Sequence, residues 1–492
     1  TGLAASTGLN NSNHDTRGTF KWQHSGESWF NELMFTYENA FVKAVPFNDA
    51  PGYIYTPPLD QANILLNTGS ADPRATQNKS QEGPSISDTF TFNDLEWKGD
   101  HVVKFGYKFK SVELRAQDAA ANNPQFYYDV RANGGTSPVP WKVFYAQHIP
   151  GEEGIAQTTA RQYGIFAQDD WTVNDHLTLN LGVRWDYEVT PSYVNYVTPQ
   201  RVLDALDAQD PGAPAGQTFR QTLSNGGINI NDYLSNGRNR RSFRGEWQPR
   251  LGSSYDIFGD EAHVIHGGAG SAYDRNLYDY LQLEQTKLNL PQTNLNFNIP
   301  GHTCQAGKSD CIAWNPALLQ GQAALEALNI GPNSGQEVDM MNNKLKAPYS
   351  DQFSLGMSNT IGEWITDATV SRVISRDGFA FTLGNRFPGG NYFATEDDNK
   401  LFDDGATVNH RGEAAWTRGI PGLGGLILGN NGISTRTTQV LLSAQKPYTP
   451  ESGWSTSFAY TFSHAKQNRD INEHYAFEEP TIHDFPVLTS NA

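Results

Sequence analysis

The sequence predicts an all-β protein, a transmembrane antiparallel β-barrel with long loops gathered at one end. Three observations carry that prediction. The first is the stretch 163–188, YGIFAQDDWTVNDHLTLNLGVRWDYE. In its second half Leu177, Leu179, Leu181, Val183, Trp185 and Tyr187 are apolar, and Thr178, Asn180, Gly182, Arg184, Asp186 and Glu188 stand between them. Successive side chains of a strand point to opposite faces, so this segment has one apolar and one hydrated, charged face. The second is length. The alternation holds for twelve residues, where a membrane-crossing strand needs about 9–11 and a strand in a soluble protein most often has about 5–6. The third is rhythm. The connections run short, long, short, long, six times over. A spanning barrel sorts tight turns to one end and long loops to the other, and a sandwich has no reason to do so.

The elements follow in order as hairpins. Segments 16–24 and 29–40 form the first, with Leu33, Phe35 and Tyr37 alternating with Glu32, Met34, Thr36 and Glu38. Residues 41–85 are polar and Pro-rich and read as loop. Segments 86–97 and 101–114 pair about Lys98-Gly99-Asp100, placing Val103, Phe105, Tyr107 and Phe109 on one face and Lys104, Lys108 and Lys110 on the other. Residues 115–160 are irregular, with short strands at 126–130 and 141–145. The hairpin 163–188 turns at Asn174-Asp175. A long loop, 190–242, has helical turns at 201–208. Segments 243–258 and 262–275 follow; Trp247, Leu251 and Tyr255 oppose Glu246, Gln248 and Arg250. The longest insertion, 276–349, holds a short helix at 316–328. Segments 350–361 and 364–376 turn at Gly362-Glu363, and 435–446 and 453–464 turn at 447–450, with the loop 377–434 between them. A last strand starts near His483. The total is about thirteen strands.

Composition bounds the reading. A chain of 492 residues exceeds one ordinary soluble core and fits three domains or one large barrel. The mean hydropathy of −0.57 suits a soluble protein, but a polar lumen and long loops lower a barrel's hydropathy too. No apolar run reaches the ~18 residues of a transmembrane helix. The net charge of −17 argues against nucleic acid as a partner, because phosphate binding needs a basic surface. The opening TGLAASTGLNNSNHD is small and polar, as in a cytosolic chain or a mature or trimmed one. The only cysteines, Cys304 and Cys311, lack the second pair a zinc site needs. They read as a loop disulfide and an oxidising compartment, with two free thiols as the alternative.

Candidate chemistry is sparse. HGGAGSAYD (266–274) has the glycines of a phosphate or oxyanion loop without its lysine or its strand–loop–helix setting, and reads as a close-packed strand. The twelve histidines show no metal spacing. A glycosidase carboxylate pair is open on sequence alone, but lumen-facing charge explains most acids, and the chain reads as a non-enzyme. Glu396, Asp397, Asp398, Asp403 and Asp404 are a candidate Ca²⁺ cluster without EF-hand spacing, with a solvated loop as the plainer reading. No other cofactor is expected. The lumen-facing candidates are Lys104, Lys108, Arg184, Asp186, Glu188, Glu246 and Arg250. Lys104, Lys108 and Lys110 read as neutralising acidic neighbours, or else as a substrate track. Trp314, Tyr392, Phe393 and Trp416, in the longest loops, are the ligand-contact candidates, since aromatic rings stack on solutes.

Specific motifs add a resemblance. The 163–188 hairpin resembles the mid-barrel hairpin of TonB-dependent outer-membrane receptors. WQPRLGSSYDIFGDEAHVIHGGAGSAYDRNLYDYLQLEQTK (247–287) resembles the Oar-like branch, whose members carry a carboxypeptidase-regulatory-like domain before the plug. SFAYTFSHAKQ (457–467) and IHDFPVL (482–488) are similar to its later strands. The family barrel has about twenty-two strands, so the resemblance implies that 1–492 is a portion of one barrel domain, with plug, TonB box and final strands not recognisable in it. It implies energised passage across the bacterial outer membrane. The expected partners are the bilayer and lipopolysaccharide, the TonB complex through a missing N-terminal region, and an extracellular solute, peptide or glycan. A passive porin and a soluble all-β adhesin or carbohydrate-binding protein are the alternatives.

Overall fold

The computed structural model describes residues 2–57, 63–118, 123–130, 135–146, 154–275, 281–289, 292–304, 311–328, 337–392, 419–420 and 423–468. Twelve long strands run through them: β1 (Leu9–Ser25), β2 (Trp29–Pro46), β3 (Gln77–Glu96), β4 (Asp100–Asp118), β5 (Ala156–Asn174), β6 (Leu177–Val189), β7 (Glu246–Asp256), β8 (His263–Tyr273), β9 (Tyr349–Ile361), β10 (Trp364–Leu383), β11 (Gly425–Lys446) and β12 (Thr456–Gln467). Each pairs antiparallel with the next, so chain order is sheet order. Even the shortest, β7 and β8, have 11 residues, enough to cross a bilayer when tilted. Among the described residues β1 and β12 are unpaired edges, and the barrel is not closed. The strand expected near His483 lies outside the described residues.

The connections sort as expected. At one end they run from two residues (175–176, 362–363) to nine (447–455). At the other they run from 30 (47–76) to 75 (274–348). Local chemistry makes the short ones. Gly362 has φ 60°, and a positive φ at the first of two loop residues is the II′ geometry that glycine favours. In the other two-residue turn Asn174 Oδ1 accepts from the N–H of His176 and of Leu177, both at 3.0 Å, a side chain standing in for backbone at a turn.

Register carries the two-residue period across the wall. Leu181 opposes Leu251 and Trp185 opposes Trp247; Ala269 opposes Phe353. The outward face stays uncovered: Trp247 and Leu251 are each 57% exposed and Leu355 is 65%. A soluble monomer rarely shows a continuous apolar patch above a few hundred Å². This band spans neighbouring strands and is the surface for lipid.

The long loops depart from the expectation of irregular chain. Three of them combine into a second, seven-stranded sheet, ordered Gly2–Leu3, Leu66–Gly69, Gly52–Thr56, Gln125–Asp129, Lys142–Ala146, Gln292–Asn298, Cys311–Ala313. Segments 125–129 and 142–146 coincide with the two short strands expected; the others were hidden. Four of those five have only two to five residues, too few for a period to stand out in the sequence. The core of this sheet gathers Ile54, Phe126, Phe144, Leu295, Phe297 and Leu325. The loop after β6 folds into helices α1 (Pro191–Val194), α2 (Gln200–Asp207) and α3 (Phe219–Asn225), of which only α2 was expected. Thr218 and Gln221 form a capping box at the start of α3. Val202, Leu206, Phe219 and Leu223 pack with Leu288 of α4 (Leu283–Asn289) and with Val338 and Leu426. The single helix expected at 316–328 is two pieces, a 3₁₀ turn Pro316–Gln320 and α5 (Gln322–Glu326), because Gly321 between them has φ 108°.

Candidate functional site: a built cap and a polar wall

The face of the wall opposite the apolar band carries charge in pairs. Lys104 Nζ lies 3.1 Å from Asp170, which also accepts from Asn180 at 2.8 Å. Lys110 pairs with Glu38, which holds Arg17 at 3.0 Å. Arg184 makes a two-pronged contact with Asp186, 2.6 Å at both nitrogens, and Gln248 donates to the same carboxylate. Gly164 makes room for that pair: a Cβ there would sit 2.5 Å from both Arg184 and Asp186. Lys108, Arg184, Asp186, Glu188 and Glu246 line one cavity of about 120 Å³ near the loop end, with Asp274 and Arg275. Arg250 stands apart, in a shallower groove beside Gln168 and Gly182. Five of the seven lumen candidates thus meet at one place, and Lys104 and Arg250 lie elsewhere on the wall.

Above the wall the loops are tied to one another. Arg240 is 1% exposed. Its guanidinium grips Glu284 of α4 at 2.5 and 2.8 Å and donates to the carbonyls of Met341 (2.8 Å) and Tyr233 (3.1 Å) and to Asn343 Oδ1 (2.8 Å). Tyr193 and Tyr196 cover it at 4.8 and 5.3 Å. Burial opposes the charge on Arg240, but the Glu284 carboxylate outweighs it and holds the guanidinium protonated more firmly than usual. Burial also pushes the Tyr193 hydroxyl up to about 12. Segment Glu337–Met341 pairs parallel with β11, and α4 reaches back to β4. The cap therefore joins chain from both halves of the wall.

In the seven-stranded sheet Lys142 is buried over Tyr127, 4.7 Å from the ring centre. Burial, with the nearby Arg74 charge, pulls its ammonium down to about 8. His302 pairs with Asp129 and stacks on Trp141 at 5.2 Å. Cys304 and Cys311 are disulfide-bonded, with Cα atoms 5.7 Å apart. The bond anchors the edge strand Cys311–Ala313.

Two of the four ligand-contact candidates, Trp314 and Tyr392, are among the described residues. Tyr392 is 7% exposed and packs with Leu383 and Ile427, with Arg386 5.5 Å over its ring. Trp314 is half-buried, edge-on to Phe297 at 4.8 Å. Both serve the cap's own cores, because the loops bury a core of their own. Phe393, Trp416 and the acidic run 396–404 lie outside the described residues. Sequence reasoning missed Arg240, Glu284 and Lys142. Arg240 sits in the run GRNRRS (237–242), where nothing distinguishes one arginine from its neighbours.

The family model for the outer membrane beta barrel domain matches residues 1–485. Among solved structures, the outer membrane transporter YddB of Escherichia coli aligns with a TM-score of 0.55 at 11% identity, over 95% of this chain and 44% of its own. The alcaligin outer membrane receptor FauA of Bordetella pertussis gives 0.41 at 8% identity, over 93% and 47%. A ferric enterobactin receptor (PfeA) mutant of Pseudomonas aeruginosa gives 0.43 at 12%, over 92% and 44%. No curated protein matches the chain. The likeness to YddB speaks for the fold, and this chain spans less than half of YddB's length. The soluble alternative falls with the family match. The chain belongs to the outer membrane β-barrel domain family, and its place is the bacterial outer membrane.

Proposed function

We propose that residues 1–492 are a portion of one barrel domain in a TonB-dependent outer-membrane receptor and transporter of the Oar-like branch, which captures its ligand at the extracellular cap. The observation that carries the reading is the cap itself. Three loops far apart in the chain, 47–76, 119–155 and 274–348, share one sheet, and a fourth is locked to the third by Arg240 and Glu284. A passive pore needs no such construction, whereas capture benefits from a surface already held in its binding shape. The paired charges on the wall below suit a hydrated passage. The motifs at 163–188 and 247–287 support the branch. In this reading the protein runs no catalytic step and uses no cofactor, its cargo is a small solute, peptide or glycan, and the TonB complex acts through a plug and an N-terminal segment.

The test is uptake by cells carrying the full-length gene, offered labelled oligopeptides and oligosaccharides, with and without the TonB complex. A second arm deletes 292–328, which removes cap strands and leaves every wall strand. Uptake should vanish in both arms while the barrel still inserts. Uptake that persists without TonB makes the protein a passive porin. Uptake that persists without 292–328 moves selection to the lumen.

A further inference from the structure

One groove at the loop end, on the lipid side of the wall, has the opposite charge to the chain as a whole. Residues 239–244 lead into β7, and residues 343–346 lead into β9. Between them lies a groove of about 600 Å³ whose lining includes Arg241, Phe243, Arg244, Lys344, Leu345 and Lys346. All four cations are exposed, and Phe243 and Leu345 are half-buried. Lys346 has Asp377 at 3.7 Å, and among the described residues Arg241, Arg244 and Lys344 form no ion pair.

The position of the groove tells what it meets. Trp185 donates from Nε1 to the carbonyl of Arg244 at 3.0 Å, and the Arg244 guanidinium lies 5.5 Å over the Tyr187 ring. Phe243 lies 6.0 Å from Tyr273, which stacks on Tyr349 at 5.2 Å. Trp185 also touches Trp247, and Tyr187 touches Tyr163. These rings form the loop-end aromatic belt of the outward face, and such belts sit where acyl chains give way to headgroups. The groove opens directly from that belt.

We propose that this groove binds the phosphate group of an outer-leaflet lipid. Guanidinium forks match phosphate oxygens two at a time, and the lysines add point charges. Phe243 and Leu345 supply an apolar floor for the carbon next to the phosphate. A soluble anion could use the charges, but it has no use for continuity with the belt, so the lipid is the occupant.

The test uses the full-length protein in nanodiscs of phosphatidylcholine with a fraction of phosphatidic acid, read by native mass spectrometry of retained lipid, with inorganic phosphate as the soluble probe. Each basic residue near a membrane surface accounts for about a fivefold change in affinity. Arg241→Gln with Lys344→Gln should therefore weaken phosphatidic acid retention about 30-fold. The charge-keeping pair Arg241→Lys with Lys344→Arg should stay within a few-fold of the parent. Retention unchanged in the glutamine variant, equal loss in the charge-keeping variant, no preference over phosphatidylcholine, or inorganic phosphate bound as tightly as the lipid would each overturn the assignment.

Discussion

Replacing Arg240 by methionine should loosen the cap without touching the wall. The side chain is removed from water completely, and it holds Glu284, two carbonyls and Asn343 at 3.1 Å or less. Deleting it strands the Glu284 carboxylate, which among the described residues keeps the Met341 N–H at 3.0 Å. Breaking one side of a buried pair costs about 3–5 kcal/mol, because the partner's charge stays buried uncompensated. Local opening should therefore become more frequent by about a hundred- to several-thousand-fold, at about 1.36 kcal/mol per tenfold. Hydrogen exchange reads this directly: amides of 193–196, 233–235 and 341–343 should lose protection, while those of β5 and β6 keep theirs. The double variant Arg240→Met/Glu284→Leu removes both charges and should recover most of the loss, since a buried pair replaced by apolar groups is often neutral or better. Exchange in the single variant within threefold of the parent would refute the idea that this pair holds the loops together. So would a double variant as loose as the single.

Leu181→Arg puts a charge on the lipid face and should cost about 2–4 kcal/mol if that residue lies at the bilayer midplane; denaturant midpoints in vesicles would show it, and no change would mean the face is wet. Protein purified without reductant should show no alkylatable thiol by mass, since Cys304 and Cys311 are bonded; Cys304→Ser with Cys311→Ser should weaken the cap by somewhat under about 3 kcal/mol. Lys142 has its proton affinity lowered from 10.5 to about 8 in the folded cap. Between those values the unfolded chain binds the extra proton, so cap stability should rise with pH from about 8 toward 10.5, by up to about 3 kcal/mol. Proteolytic susceptibility of the cap at pH 7 and 10 measures this, and Lys142→Met should abolish the difference; a difference that survives the substitution assigns it to another group.

The wall was legible in the sequence because lipid imposes a strict rule. Every strand must be long and must alternate, and Leu177–Val189 does so in plain view. Strand ends were less legible. β11 begins at Gly425 rather than near 435, and β1 at Leu9 rather than near 16. Beyond the bilayer the alternation has no lipid to enforce it, as Asn10, Asn11, Ser12 and Asn13 show. The cap was nearly illegible for a different reason. Gln125–Asp129 is buried on both faces, and its neighbours in the sheet come from residues 52–56 and 142–146. That segment was expected as a strand, but its shorter companions, such as Leu66–Gly69 and Cys311–Ala313, look like loop until their partners are known. The Arg240–Glu284 contact spans 44 residues, and no local pattern announces it.

The architecture of the cap limits how its loops can be separated. The insertion between β8 and β9 supplies Gln292–Asn298 to the seven-stranded sheet, Glu284 to Arg240 and Glu337–Met341 to the edge of β11. Cutting the whole of 276–349 would therefore remove supports from loops on both sides of it, and the resulting defect would not report on ligand contact alone. Excising 292–328 avoids Glu284 and 337–341, and so leaves the clamp intact while removing the sheet strands and the disulfide. The loop aromatics sharpen the point. Trp314 and Tyr392 pack on the cap's own cores, so substitution of either ring changes the shape of the cap along with any ligand contact. On the proposed function, capture and cap stability are two readouts of one folded unit, and a variant that changes binding at unchanged exchange protection is the one that marks a contact with the ligand.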